Sequence, residues 1–466
     1  MTETVESILI EVSPGETRAA SIDGAGRLVG LQIERMGEES LVGAVCRGRV
    51  TRIEKATEIA FLDIGLPSPG LMNRARGLHE GQALTVQIVR DAWGEKGPAV
   101  TASVALSGRY LVLRPTEDEV RWPRTLPARL RREHEAAVAA VAKPDEGITV
   151  RSNVTLADEA ALAAEAEHLR GLWLDIEKRA KDAAKPAVLV PAPGLAERLL
   201  RDEAPSGGFV VDDRRLVATL AALAKRAAPD LAGRIAFHDG RKPIYAEFGV
   251  DDQIDEALSR VVALPRGAGL VIDELEALTA IDVNMGGAGV GRGSDDAILA
   301  FNRSAASEAA RQVMLRNIAG LIVIDFVSMR NKGNRRHLVE AVRRCFAEDR
   351  VTVDVLGMTP AGLVEVTRQR RGRSLASLIC VPAEREIALQ PAALACAALR
   401  AALRMLGAGR PVLRCSLAVA AALQGALAPA LAETERRLGQ TLAVREDAGC
   451  LAFELLREGR HDGQRS

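Results

Sequence analysis

The chain of 466 residues is long enough for several domains and a large hydrophobic core. Hydrophobic residues make up 48% and charged residues 27%, as in an ordinary globular protein, and the formal net charge is zero. This balance argues against a uniformly basic nucleic-acid binder, so we expect any RNA or DNA site to be a local patch.

Neither an export signal nor a membrane span is predicted. Residues 1–6 are acidic where a secretory signal would be basic and then apolar. The Ala-rich stretch 416–432 is interrupted by Gln424, Gly425 and Pro429, which predicts one or two helices. The six cysteines are scattered and form no Cys-x-x-Cys pair, which is typical of thiols in a reducing cytoplasm and predicts no zinc site.

Residues 41–107 alternate short apolar runs with turn signals, which predicts a small OB-type barrel. The predicted strands cover residues 45–53, 59–64, 84–89 and 99–106, with a turn at 67–70. Outward positions would carry Arg47, Arg49, Arg52 and Lys96, with Phe61 as an aromatic platform for a base. Small barrels also serve as inert scaffolds, so RNA binding is one of two interpretations.

A strand at 147–151 precedes a long Ala/Glu/Lys-rich helix, for which Thr155 is the predicted N-cap and Pro186 the stop. Arg151 leaves the strand beside Ser152. A guanidinium and a hydroxyl in this arrangement could bind a phosphate. The alternative interpretation of Arg151 is a surface salt bridge.

From residue 208 to about 380 strands and helices alternate. We expect strands at 209–211 and 234–237 and helices at 214–227, 252–262 and 334–348. The last helix and the segment after it carry Arg335, Arg336, Arg343, Arg344, Arg368, Arg370, Arg371 and Arg373. Charge runs are usually solvated faces. Because acidic residues are few here, we expect this run to hold a polyanion, with Arg368 and Arg370 contacting RNA.

Two apolar strands in this region carry aspartates at their ends, in Ala280-Ile-Asp-Val-Asn284 and Leu321-Ile-Val-Ile-Asp-Phe326. Asp282 and Asn284 share a face, which Asp325 reaches if the strands are neighbours. Buried, unpaired carboxylates are costly, so a divalent cation should offset them. Hard oxygen ligands suit Mg²⁺ or Mn²⁺. Alternatively, Asp282 caps a turn and Asp325 pairs with an arginine such as Arg330.

With these motifs the chain resembles the bacterial ribonuclease E/G family, from about residue 8 to 380 and more weakly to 457. The segments that carry the resemblance are Gly48-Arg-Val-Thr-Arg-Ile53, Ala60-Phe-Leu-Asp-Ile-Gly65, Gly108-Arg-Tyr-Leu-Val-Leu113, Glu276-Ala-Leu-Thr-Ala-Ile-Asp-Val-Asn284, Ala300-Phe-Asn302, Ala309-Ala-Arg-Gln312, Gly320-Leu-Ile-Val-Ile-Asp-Phe326 and Gly362-Leu-Val-Glu-Val-Thr-Arg-Gln-Arg370.

The resemblance implies an α/β and α+β multidomain protein. Its expected parts are an RNase H-like domain split between 1–40 and 195–258, an OB-fold RNA-binding domain at 41–107, a 5′-sensor at 108–194, a DNase I-like catalytic domain at 259–380 and a small C-terminal domain at 385–460. The implied activity is Mg²⁺-dependent cleavage of single-stranded RNA to 5′-phosphate and 3′-hydroxyl products, in RNA processing or decay. The alternatives are a non-catalytic RNA-binding homologue and a nuclease acting on DNA.

The resemblance also assigns roles to individual residues. Asp282 and Asp325 would ligate the metal, and Asn284 would orient substrate or water. RNA contact is implied for Phe61 and Lys96. A 5′-monophosphate pocket is implied at Arg151, Ser152, Gly108 and Val112.

Three departures from the family pattern are visible. The family's pair of zinc-linking cysteines is reduced to Cys380-Val-Pro-Ala383, and one thiolate per subunit cannot complete a shared tetrahedral site. We therefore expect no zinc and no zinc-linked dimer. Leu71 replaces the second aromatic residue of the barrel, and Ser152 replaces a threonine while keeping a hydroxyl.

Overall fold

The computed structural model describes residues 5–92, 96–123, 126–286, 294–347, 349, 351–370, 372–382, 387–405, 409–450 and 452–458. By its internal contacts the chain divides into two compact units. One comprises Met1–Met36, Pro205–Asp212 and His238–Ser466, and the other Gly37–Ala204 and Asp213–Phe237.

The first three strands form an antiparallel meander of β1 (Val5–Ser13), β2 (Glu16–Asp23) and β3 (Leu28–Arg35). The next five strands close into a barrel. They are β4 (Val45–Glu54), β5 (Ile59–Asp63), β6 (Gly70–Asn73), β7 (Ala83–Arg90) and β8 (Ala99–Thr101). Strand β4 pairs with both β5 and β7, and β6 and β8 complete the ring. The predicted barrel is confirmed, although Gly70 begins a strand and does not merely end a turn.

The segment after the barrel mixes short strands with two helices. Its elements are β9 (Leu106–Ser107), β10 (Leu111–Arg114), β11 (Val120–Arg121), α1 (Ala128–Val141), β12 (Gly147–Val150), a 3₁₀ turn (Ser152–Leu156) and α2 (Glu159–Asp182). The prediction that Thr155 caps the long helix is wrong, because the chain first makes the 3₁₀ turn. Asp158 is the cap, since its carboxylate accepts a hydrogen bond from the Ala161 amide at 2.7 Å.

Further strands and helices alternate as expected. They are β13 (Ala187–Val190), α3 (Leu195–Asp202), β14 (Gly208–Val211), α4 (Arg214–Ala227), a 3₁₀ turn (Pro229–Leu231), β15 (Ile235–Phe237), α5 (Ile244–Glu247) and α6 (Val250–Leu258). Strand β14 lies parallel to β1, with Phe209 opposite Ile8, so segments about 200 residues apart in sequence share one sheet. The helix predicted at 252–262 ends earlier, because the next strand begins at Val261.

A six-stranded sheet follows in the order β16-β17-β18-β19-β21-β20. Its strands and helices are β16 (Val261–Leu264), a 3₁₀ turn (Pro265–Gly267), β17 (Ala268–Glu274), β18 (Thr279–Asn284), α7 (Asp295–Leu315), β19 (Gly320–Asp325), α8 (Lys332–Cys345), β20 (Val353–Met358) and β21 (Leu363–Arg368). Ile281, Ile324 and Val366 of the sheet share one core with Ala306 of α7 and Leu338 of α8. The two helices therefore cover one face of this sheet.

The chain ends in α9 (Leu375–Ile379), β22 (Cys380–Pro382), β23 (Ile387–Leu389), α10 (Pro391–Leu403), β24 (Arg410–Cys415), α11 (Leu417–Gln424), α12 (Ala428–Leu438), β25 (Ala443–Glu446) and β26 (Phe453–Glu458). The stretch 416–432 thus contributes to two helices, as predicted. Within the described residues, no single helix is long and apolar enough to cross a membrane. Only α11 and α12 taken together, bent by 85°, have that length and composition.

Candidate active site and RNA-binding residues

Asp282 and Asp325 are direct neighbours in the six-stranded sheet. Strands β18 and β19 run parallel, and Asp282 lies opposite Asp325. Paired residues on adjacent strands, about 4.8 Å apart, direct their side chains to the same face. Asn284 lies two residues farther along β18, and its side-chain amide donates a hydrogen bond to Asp282 Oδ2 at 2.8 Å. The predicted convergence of these three residues is confirmed.

The predicted burial of the two carboxylates is wrong. Both Asp282 and Asp325 are exposed, whereas Ile281 and Ile324 beside them are buried. The reason is that α7 and α8 cover only the opposite face of the sheet. Because both carboxylates are accessible to solvent, the cost of burying a charge gives no reason to expect a cation here. Their exposure instead leaves the face open to a metal ion and a substrate.

Neither Asp282 nor Asp325 forms an ion pair within the described part of the chain. The alternative that Asp325 pairs with an arginine such as Arg330 therefore has no support. Among the same residues no group of three or more His, Cys, Asp or Glu side chains is arranged to hold a metal. Two carboxylates in register beside an amide nevertheless fit Mg²⁺, which binds through one or two carboxylates and keeps waters and substrate phosphates as its other ligands.

A third carboxylate on this face was not predicted. Glu365 of β21 lies opposite Val323 of β19, two residues before Asp325, and therefore points to the same side of the sheet. The alternation of apolar and polar residues in Val364-Glu-Val-Thr-Arg368 is the sequence signal that could have identified it.

The chain that leaves β19 is held by a buried side chain of α7. The Asn302 amide donates a hydrogen bond to the Val327 carbonyl at 2.8 Å, and Asn302 is fully buried. This bond fixes the backbone two residues after Asp325, so Asn302 supports the position of the carboxylate without reaching the open face.

The barrel places its predicted RNA-binding residues on its outside. Phe61 is half-buried, and the Arg52 guanidinium carbon lies 4.3 Å from the centre of its ring. Lys96 is exposed. Leu71 pairs directly with Phe61 across β5 and β6, so the missing aromatic residue would have stood beside Phe61. Of the other predicted outward arginines, Arg49 is exposed.

The two arginines at the end of β21 differ. Arg368 is 5% exposed and pairs with Asp349 at 2.7 Å, and it also donates to the Asn317 side chain and the Ile318 carbonyl. These bonds correct the prediction that Arg368 contacts RNA, because its donors already hold the core together. Arg370 is exposed. Arg371 lies outside the described residues.

The four residues of the predicted phosphate pocket lie on adjacent backbone segments. Strands β10 and β12 pair with Val112 opposite Thr149, and the Arg151 amide donates to the Tyr110 carbonyl at 2.8 Å. The Arg151 side chain donates to the Gly108 carbonyl at 2.9 Å. Ser152 is exposed beside it. The structure therefore brings Arg151, Ser152, Gly108 and Val112 together.

Arg151 also forms the salt bridge that the alternative interpretation predicted. Its guanidinium lies 2.7 Å from Asp202, which Arg201 holds through two further bonds of 2.7 and 2.8 Å. Glu165, which interacts with Arg151, adds a second acidic group beside these two arginines. The two arginines lower the pKa of Asp202, against the effect of its burial. Sequence reasoning missed Asp202, because 51 residues separate it from Arg151.

Gly108 lies against a half-buried carboxylate, that of Glu165. Glu165 accepts hydrogen bonds from the amides of Arg109, Tyr110 and Leu111 at 2.5 to 2.9 Å. A Cβ atom at Gly108 would lie 2.4 Å from the Glu165 carboxyl carbon, so only glycine fits. Burial raises the pKa of Glu165, although these backbone bonds oppose the shift.

A family model described as the Ribonuclease E/G family matches residues 105–371, more than half of the chain. The chain belongs to the ribonuclease E/G family. It is 33% identical to Ribonuclease G of Escherichia coli K12 over 399 residues, which cover 80% of this chain and 81% of that protein. Over 402 residues, with the same shares, it is 29% identical to Ribonuclease G of Haemophilus influenzae. It is 32% identical to Ribonuclease E of Escherichia coli K12 over 390 residues, which cover 77% of this chain and 36% of that protein.

Membership of the ribonuclease E/G family confirms the resemblance found in the sequence. The matched segment contains Arg151, Asp282 and Asp325, whereas Phe61 precedes it and Cys380 follows it. Cys380 is buried, and burial raises the pKa of its thiol. Cys396 and Cys415 lie in the core of the C-terminal segment, and no disulfide joins cysteines among the described residues. The absence of a zinc link remains a prediction.

Proposed function

We propose that this member of the ribonuclease E/G family is an Mg²⁺-dependent endoribonuclease that cuts single-stranded RNA. The products carry a 5′-phosphate and a 3′-hydroxyl, and the enzyme acts in RNA processing or decay in the cytoplasm. The observation that carries the proposal is the pairing of Asp282 with Asp325 on an open sheet face, in a family whose relatives are named as ribonucleases.

Asp282 and Asp325 hold the metal in this proposal, with Mn²⁺ as a possible substitute. Mg²⁺ held by these two carboxylates would supply Lewis-acid stabilisation of the charge that develops when water attacks the phosphodiester in line. The side-chain NH₂ of Asn284 fixes the orientation of Asp282. The side-chain oxygen of Asn284 then remains to orient the substrate or the attacking water. Glu365 lies farther across the same face and adds a third acidic group to it.

Exposed aromatic and cationic side chains contact the RNA in this proposal. Phe61 provides a stacking surface for one base, and Lys96 and Arg370 contact phosphates. Arg52 covers part of the Phe61 ring, so a base would displace or share that cation. Arg368 is left out of this surface because it is buried and paired.

The 5′-monophosphate pocket belongs to the proposal as well. Arg151 and Ser152 supply donors, and Gly108 and Val112 shape the space around them. The exposure of Ser152 and the guanidinium donors of Arg151 that Gly108 and Asp202 do not use support an anion at this place. The domain architecture we propose is the one the family implies, with RNase H-like, OB-fold, sensor, DNase I-like and C-terminal parts.

The alternative of a non-catalytic RNA-binding homologue rests on two departures from the family pattern. They are the loss of the second cysteine near Cys380 and the replacement of an aromatic residue by Leu71. This alternative does not account for two exposed aspartates in register that form no ion pair within the described residues. A protein that only bound RNA would gain nothing from this concentration of negative charge, which repels phosphate.

Digestion of a short labelled single-stranded RNA tests the proposal. The wild-type protein should cut the RNA internally with Mg²⁺ and leave it intact with EDTA, and end-labelling should show 5′-phosphate and 3′-hydroxyl ends. A single-stranded DNA of the same sequence serves as the matched substrate control. Equal cleavage of DNA, or cleavage in EDTA, would overturn the assignment.

A further inference from the structure

A polar pocket opens directly beside Asp325. It lies between the chain leaving β19, the first turn of α8 and the turn that joins β20 to β21. Its volume is about 80 Å³. A single water needs about 10–15 Å³ by this measure, so the pocket has room for about six waters, which suits a sugar better than a whole nucleotide.

The walls of the pocket are held in place by named hydrogen bonds. Arg335 of α8 donates through Nε to the Met329 carbonyl at 2.7 Å. The opposite wall is a closed turn, in which the Thr359 amide donates a hydrogen bond to the Leu363 carbonyl at 2.8 Å and Leu363 pairs with Asp325. The pocket is therefore formed before a substrate arrives.

The polar groups of the pocket can both donate and accept hydrogen bonds. Ser328 is exposed and forms no hydrogen bond within the described residues. Its hydroxyl can act in either role, Arg335 offers further guanidinium donors, and Asp325 offers an acceptor. Pro360 and Ala361 close the other side with small apolar surfaces. A ribose has the matching character, because its 2′-hydroxyl both donates and accepts.

We infer that this pocket receives the ribose next to the scissile phosphate and distinguishes RNA from DNA through its 2′-hydroxyl. The inference rests on the proposed function, because the place beside Asp325 is significant only if Asp325 acts on a phosphodiester. It adds Ser328 and Arg335 to the substrate contacts, as residues that determine specificity.

The test compares one RNA with three copies that each carry a single 2′-deoxy nucleotide. Two substitutions flank the cleaved bond, and the third lies several nucleotides away. In the wild type, one flanking substitution should lower kcat/KM about three- to tenfold, the value of one hydrogen bond, and the distant one should have no effect.

Two variants remove the pocket's contribution in different ways. Ser328→Ala deletes the hydroxyl, and Ala361→Leu fills the space from the exposed turn. Each variant should cut the all-ribose RNA more slowly. In each, the decrease in kcat/KM caused by a 2′-deoxy nucleotide next to the cleaved bond should be less than about twofold. His337→Ala is the matched control, because it changes an exposed side chain of the same helix outside the pocket and should keep the full penalty.

Two results would overturn the inference. One is a wild-type enzyme that cuts all four substrates at equal rates, and the other is an unchanged flanking penalty in both Ser328→Ala and Ala361→Leu. Failure of the proposed function gives a different result, since the wild type would then not cut the all-ribose RNA.

Discussion

Replacement of Arg151 by alanine should remove most of a preference for RNA with a 5′-monophosphate. Two of the five guanidinium N–H groups are used, one by Gly108 and one by Asp202, so up to three remain for a phosphate. A hydrogen bond to a charged group contributes about 1.5–3 kcal/mol, which corresponds to roughly 10- to 150-fold in rate. Because Asp202 already offsets part of the charge, we expect a value near tenfold.

The assay compares cleavage of one RNA bearing a 5′-monophosphate, triphosphate or hydroxyl. The wild type should cut the first about tenfold faster, and Arg151→Ala should cut all three at similar rates. Arg121→Ala removes an exposed charge from the same unit and should keep the preference. A full preference in Arg151→Ala would refute the role of this arginine, and equal rates in the wild type would show that the pocket does not sense the 5′ end.

The stability of the Arg151→Ala variant provides an internal check. Asp202 keeps its two bonds to Arg201, so no carboxylate is left unpaired. Loss of a partly exposed ion pair then lowers the free energy of unfolding by less than about 1 kcal/mol. Denaturant unfolding measures this change, and a much larger loss would mean that altered cleavage reports misfolding.

Three further predictions concern RNA binding, assembly and support of the site. Phe61→Ala should weaken the binding of single-stranded RNA by about 1–3 kcal/mol, and Leu71→Tyr should strengthen it, because the two positions are opposite each other. Fluorescence anisotropy would measure both affinities, and an unchanged affinity in both variants would contradict the stacking model. Purified protein should contain no stoichiometric zinc by elemental analysis, because Cys380 is alone at the link; one zinc per two chains, with dissociation on chelation, would contradict this. Asn302→Leu should leave the Val327 carbonyl unpaired, which costs about 1–3 kcal/mol of stability. The variant should lower kcat more than RNA affinity, and an unchanged kcat would show that Asn302 does not support the position of Asp325.

The sequence predicted the convergence of Asp282, Asn284 and Asp325 because strand periodicity determines which residues share a face. It did not predict their exposure. An apolar strand with alternating polar residues can be covered on one face or on both, and only the positions of α7 and α8 show that one face remains open. The metal hypothesis therefore stands on geometry and family membership instead of on the cost of burial.

Long-range contacts account for most of what the sequence could not predict. Arg368 and Arg370 look alike in the arginine run, yet one is buried against Asp349 and the other is exposed. Arg368 is the last residue of β21 and points to the core side, whereas Arg370 lies beyond the end of the strand. The Asp202 partner of Arg151 and the pocket beside Asp325 likewise join segments far apart in the chain. The spacing of residues within one segment does not indicate which distant segments they contact.

The central claim is that Asp282 and Asp325 are needed for metal-dependent cleavage and not for folding or RNA binding. The most direct measurement is the single-turnover cleavage rate of Asp282→Asn and Asp325→Asn over a range of Mg²⁺ concentrations, with RNA affinity measured in parallel. Asp354→Asn, an exposed change on the same sheet, is the control. We predict a loss of at least about a hundredfold in both site variants, with RNA affinity within a few-fold of wild type. Cleavage by Asp325→Asn at a rate near that of the wild type would contradict the account.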